Sequence, residues 1–248
     1  MRAFFACILS VITALHVVGC AASEVDEGST ASKSELVVLV HGLGRSDWAM
    51  WRFAHRLEAA NYEVCLLDYD TLGESVGSVL FETTAQIDKC LLGAARVHFV
   101  GHSLGGLVIR SYLQRKLATL NKDNIGEVVL IGTPNKGSEL ADHFNGTWLM
   151  DVGGGISQAL VTGTHSLGNN LDEVKVNVNV GIIAGSRSSM LTRAQFSGPN
   201  DGLVSVESTK LAHMRDFITV DVNHTQMRYN KAVAEQTIHF LRHGEFSH

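Results

Sequence analysis

The chain has 248 residues, of which 45% are hydrophobic and 18% charged, with 24 glycines, 2 prolines, 4 cysteines and a formal net charge of -5. It is too apolar to be mostly disordered, and its acidic balance leaves no basic surface to follow a phosphate backbone, which argues against nucleic acid as a partner. Apolar runs of about 18 residues, enough to span a bilayer, are approached only at the N-terminus, so a polytopic membrane protein is disfavoured as well.

Met1-Arg2 opens a segment in which Ala3 to Val18 carries no acidic or basic charge and is rich in Phe, Ile, Leu and Val. A short positive start and an apolar core predict a signal peptide over residues 1–19, with a retained membrane anchor as the alternative. Val17-Val18-Gly19-Cys20 resembles the lipobox of bacterial lipoproteins, in which a small residue precedes a cysteine that becomes lipid-modified and N-terminal after cleavage. An ordinary signal peptide cut near Ala21-Ala22-Ser23 is the other reading. On the lipobox reading the protein is exported and tethered through Cys20 to a bacterial membrane, on its periplasmic or cell-surface side. Residues 20–35, small, polar and without periodicity, then form a flexible tether. Cys7 is discarded and Cys20 acylated, which leaves Cys65 and Cys90. In an oxidising compartment that pair can form a disulfide; two buried free thiols are the alternative.

Beyond the tether, strand-like runs at 36–41, 63–68, 96–101, 127–132, 176–184 and 217–222 alternate with helix-length segments at about 48–60, 78–92, 104–120, 137–144 and 225–242. The first four runs are apolar nearly throughout, as strands covered on both faces should be. The pattern predicts an α/β domain with a mostly parallel sheet, helices on both faces and right-handed crossovers. A glycine-rich stretch at about 145–175 is too long for a plain connection and reads as a lid or binding loop.

The strongest chemical signal is Gly101-His102-Ser103-Leu104-Gly105, a G-x-S-x-G pattern between a predicted strand and a predicted helix. A sharp strand-to-helix turn exposes the Ser103 hydroxyl beyond the strand end, and the helix N-terminus below it favours negative charge. A serine is a weak nucleophile without a general base oriented by a third group. His224, after the last strand run, is the best-placed base of the twelve histidines, and Asp201, in the turn-rich loop Gly198 to Val204, is the best-placed acid; Asp172 and Asp221 are less suitable. The oxyanion hole is expected from the backbone N–H groups of Leu104 and of Leu43, the latter in the loop His41-Gly42-Leu43-Gly44. His41 itself precedes the serine and is expected to orient that loop, and His98 to serve the core.

With these segments in view, the chain resembles the bacterial lipases and esterases of the α/β-hydrolase superfamily. The resemblance covers about residues 36–242 through HGLG (41–44), GHSLGG (101–106), GTPNKGSELA (132–141), NDGLVSVES (200–208) and NHTQM (223–227). It implies an α/β-hydrolase catalytic domain over 36–248, with a small cap over about 137–175, that cleaves acyl esters, such as acylglycerols, through an acyl-enzyme on Ser103. An acyltransferase or thioesterase on the same fold is the alternative, and a non-catalytic surface lipoprotein a remoter one. The family's base commonly follows an acidic residue, whereas Asn223 precedes His224 here. No ligand set for the structural calcium of some members is visible, so no metal or cofactor is expected. Trp148, Leu149, Met150, Ile156, Leu160, Val161 and Leu167 are candidates for an acyl-binding wall, with simple packing on the sheet as the alternative.

Overall fold

The computed structural model describes residues 34–248 apart from 117, 148–153 and 172–177. The expected signal peptide, Cys20, most of the tether, Trp148, Leu149, Met150 and Asp172 lie outside the described residues.

Six strands, β1 (Leu36–Val40), β2 (Glu63–Leu66), β3 (Val97–His102), β4 (Ile125–Ile131), β5 (Val180–Gly185) and β6 (Asp216–Val220), form one sheet in the order β2-β1-β3-β4-β5-β6. Every pairing is parallel, where a mostly parallel sheet was expected. All of β1 is buried because both faces are covered, yet the pleat still sorts its side chains. Val38 and Val40 join Phe99 and Leu130 in one core; Val37 and Leu39 join Val100 and Val129 in the other.

Helices α2 (Val76–Cys90) and α3 (Leu104–Lys116) cover the first face; α1 (Trp51–Glu58) and the C-terminal α5 (Lys231–His243) cover the second. The short α4 (Glu139–Phe144) lies in the segment expected as a cap. The chain leaves β1 in one direction to make β2 and returns across it to make β3. This reversal of strand order opens a crevice at the carboxyl ends of β1 and β3, where open α/β sheets hold their sites.

Several boundaries differ from the sequence expectation, and two of them have a visible cause. Glu35, assigned to the tether, is already tied to the sheet: its carbonyl accepts from the Glu63 N–H at 3.0 Å and its carboxylate lies 3.0 Å from His98 Nε2. The last helix, expected from 225, starts at Lys231 because the Asn230 side chain accepts the Val233 N–H at 3.1 Å and caps it there. Residues Gln226–Arg228 form a separate 3-10 turn.

Cys65 on β2 and Cys90, the last residue of α2, are joined by a disulfide with a Cα–Cα distance of 6.0 Å. It closes a loop of 25 residues in sequence separation. Replacing both cysteines by Ala is expected to lower the unfolding free energy by about 3 kcal/mol, the chain-entropy value for a loop of this size, read as a lower midpoint in urea with a steeper slope, since the unfolded chain is no longer held compact by the cross-link.

Candidate active site

Ser103 sits alone between the end of β3 and the start of α3, with φ at 56°, in the left-handed region that few non-glycine residues occupy. Two backbone bonds hold it there. Its N–H donates to the Ile131 carbonyl at 2.8 Å, and its own carbonyl accepts the Gly106 N–H at 3.0 Å. The turn closes tightly enough that a Cβ on Gly101 would lie 2.6 Å from the Gly106 nitrogen, and one on Gly105 would meet the His41 carbonyl oxygen at 2.6 Å. Absence of side chains at these positions lets α3 start directly against the end of β1.

The loop after β1 is pressed onto this turn, since a Cβ on Gly42 would be 2.9 Å from Ser103 Cβ. His41 shapes the loop: its Nδ1–H donates to the Gly42 carbonyl at 2.9 Å, its ring stacks on Tyr69 at 4.2 Å, and the Tyr69 hydroxyl donates to its carbonyl at 2.6 Å. The Leu43 and Leu104 N–H groups have no acceptor among the described residues, and both residues flank Ser103, as two oxyanion donors require.

Asp201 and His224 meet in the loops after β5 and β6. Asp201 Oδ2 lies 2.6 Å from His224 Nδ1, with Asp201 1% and His224 6% exposed. The carboxylate is fixed by its own loop, since Oδ1 accepts the N–H groups of Leu203 at 2.9 Å and Val204 at 2.8 Å. The two loops are joined again by the His224 N–H, which donates to the Asp201 carbonyl at 2.9 Å. An acceptor at Nδ1 places the imidazole proton there and leaves Nε2 as a base. Asn223 does not reach the imidazole. Its side chain and backbone pair with Gln226 at 2.9 and 3.3 Å, which forms the turn that follows the histidine.

Two residues that support this arrangement were not singled out in the sequence. Gly132, at φ 57°, lies beneath the pair, where a Cβ would be 3.2 Å from His224 Nδ1 and 3.3 Å from Asp201 Oδ2. His102, the residue before Ser103, donates from Nε2 to the His224 carbonyl at 3.0 Å, and the two rings lie 4.7 Å apart. Burial, then the neighbouring His224, holds the His102 imidazole well below its usual titration range, so it remains a neutral donor. Neither glycine geometry nor this side-chain bond leaves a periodic signal in a sequence.

Ser103, His102 and His224 open onto a cavity of about 360 Å³ whose walls are largely apolar. On the cap side it is lined by Leu140, Ala141, Phe144 and Leu160, and elsewhere by Leu72, Leu203 and Val204. Of the expected wall residues, Leu160 takes part. Ile156, Val161 and Leu167 do not line it: Ile156 is fully buried in the core under the cap and Leu167 packs against that core. Among the described residues no group of His, Cys, Asp and Glu could hold a metal ion.

A wholly parallel sheet with this crevice, a strained serine at the end of β3 and an acid–imidazole pair on the last two strand loops define an α/β-hydrolase fold. Solved structures share it: the mature lipase BlEst2 of Bacillus licheniformis superposes with a TM-score of 0.65 at 22% identity, covering 84% of this chain and 91% of that one. A lipase-esterase related protein of Clostridium acetobutylicum superposes with a TM-score of 0.58 at 18% identity, covering 84% and 95%. In sequence, a probable esterase, PIR7A, of Oryza sativa subsp. indica is 34% identical over 86 residues, which is 32% of this chain. The match spans 33% of that relative's length. Residues 16–179 match a family described as a domain of unknown function, DUF7379, and the chain belongs to that family.

The buried imidazoles make stability pH-dependent. His41, His98 and His102 are all held below the usual value of 6.5, foremost by burial. The unfolded chain therefore binds more protons than the folded one as pH falls through about 6.5. Stability should be full above that pH and decline below it. Urea midpoints measured from pH 7.5 to 5 check this, and His102→Gln, which keeps an N–H donor but does not titrate, should flatten part of the decline.

Proposed function

We propose that the protein is a serine carboxylic ester hydrolase, a lipase or esterase, that works through an acyl-enzyme on Ser103. The reading rests above all on the buried Asp201–His224 pair at 2.6 Å, opening with Ser103 onto one apolar cavity. His224 Nε2 takes the hydroxyl proton as Ser103 Oγ attacks the ester carbonyl. Asp201 holds the tautomer and stabilises the imidazolium. The Leu43 and Leu104 N–H groups receive the oxyanion. His224 then returns the proton to the leaving alcohol, and water, activated by the same imidazole, releases the acid. His102 positions the base through its backbone. The resemblance in fold to a protein named a lipase and the partial sequence match to one named a probable esterase support the same chemistry.

For the segment before the domain, the proposal remains export and lipidation at Cys20, which would set the enzyme at a membrane surface; metabolic labelling with a fatty acid, lost in Cys20→Ala, tests it.

Ser103→Ala should abolish hydrolysis of a chromogenic short-chain ester and labelling by a fluorophosphonate probe, while the unfolding midpoint is retained; substantial residual turnover would sink the assignment. Asp201→Asn, which offers the imidazole the wrong tautomer, should lower kcat by about four orders of magnitude.

A further inference from the structure

Two arginines stand at the mouth of the cavity, and the ester chemistry described above does not use them. Arg45 directly follows the Leu43-Gly44 segment of the loop after β1, and Arg228 lies on the turn after His224, so each of the two loops beside Ser103 supplies one guanidinium. Both line the cavity that holds Ser103. Both also line a second hollow of about 500 Å³, which shares Arg45, Leu72 and Arg228 with the first and is otherwise walled by residues such as Ser46, Trp48, Asp70 and Thr71. The cap residues that line the first cavity take no part in the second.

Among the described residues neither arginine forms an ion pair, and Arg45 is exposed. Arg228 is partly buried and donates to backbone carbonyls, of Thr225 at 3.2 Å and Ala49 at 3.4 Å, and Arg45 has no hydrogen bond or ion pair among the described residues. Asp70, the acid on the wall of the hollow, pairs with neither. Burial and the charge of Arg45 both act to make the Arg228 cation harder to hold, and the field of both arginines reaches His102 under the nucleophile. Two arginines that line one hollow, close enough for the charge of one to act on the other and neither paired with the Asp70 carboxylate on its wall, would be stabilised by an anion that bridges them, and planar guanidinium groups suit phosphate oxygens.

We propose that Arg45 and Arg228 form a subsite for a phosphate group on the alcohol side of the ester, so that the preferred substrates are acyl esters of phosphorylated alcohols, with the acyl chain in the apolar cavity and the phosphate in the second hollow. This rests on the ester hydrolase reading. The reaction is unchanged: the acyl carbon–oxygen bond breaks, the phosphorylated alcohol leaves with the proton from His224, and the phosphate is neither transferred nor hydrolysed.

The test compares a monoacylglycerol with the acylglycerol phosphate of the same short chain, both below micelle-forming concentration and at low salt. The ratio of kcat/KM, phosphorylated to neutral, should exceed one by about tenfold, the effect of a charge-assisted hydrogen bond. Arg45→Gln and Arg228→Gln should each lower that ratio by about tenfold, and Arg45→Lys and Arg228→Lys should lower it less, with thermal midpoints confirming that each variant is folded. A ratio at or below one in the unaltered enzyme, or one that the Gln variants leave unchanged, overturns the subsite. So does a preference that appears only when a neutral ester is presented in anionic vesicles, because the arginines would then meet a membrane surface. Neutral-ester hydrolysis that is absent, or that survives in Ser103→Ala, overturns the underlying hydrolase reading instead.

Discussion

A serine held in the left-handed backbone region at the end of a buried parallel strand keeps that conformation only because its neighbours leave it no other. The Ser103 N–H continues the β3–β4 ladder onto Ile131, its carbonyl already accepts from the first turn of α3, and Gly101 and Gly105 bring backbones closer than any side chain would permit. The strain at one residue is thus offset by a sheet edge and a helix that are both deeply buried. Everything else in the site is referred to this turn. The loop after β1 packs on it through Gly42, the helix N-terminus lies under it, and the imidazole reaches the same cavity from the far strands.

The remaining parts are separated along the chain but share the carboxyl edge of one parallel sheet. Strand order reverses at β1 and β3, which leaves room for a ligand at the point where the serine and the proposed oxyanion donors stand. Asp201 and His224 come from the loops after β5 and β6, and they are rigid because each satisfies backbone groups of the other's loop or its own. Burial sets the protonation states. A neutral His102 can donate to the carbonyl of His224 without placing a second positive charge beside the imidazolium that the proposed mechanism requires.

The cap is modest, and its apolar residues divide between two duties. Leu140, Ala141 and Phe144 on α4 face the cavity, whereas Ile156 is spent on the core beneath.

Much of this architecture was legible in the residues themselves. The alternation of apolar runs with helix-length segments determined a parallel α/β sheet, because strands covered on both faces must be apolar throughout. The G-x-S-x-G turn, Asp201, His224 and the Leu43 loop were marked by local patterns, since tight turns and strand ends demand particular residue types at short spacing. The boundaries were less visible, as at Asn230, where a side-chain cap rather than periodicity begins the last helix. Beyond the Cys65–Cys90 pair and the grouping of Asp201 with His224, contacts between distant segments were not visible. That Gly132 leaves space under the Asp201–His224 pair, that His102 supports the loop of His224 from 122 residues away, and that Arg45 and Arg228 share a hollow were decided only by the packed structure. Spacing along the chain reports what neighbours in sequence can do, whereas burial and close approach between loops exist only once the sheet has brought its ends together.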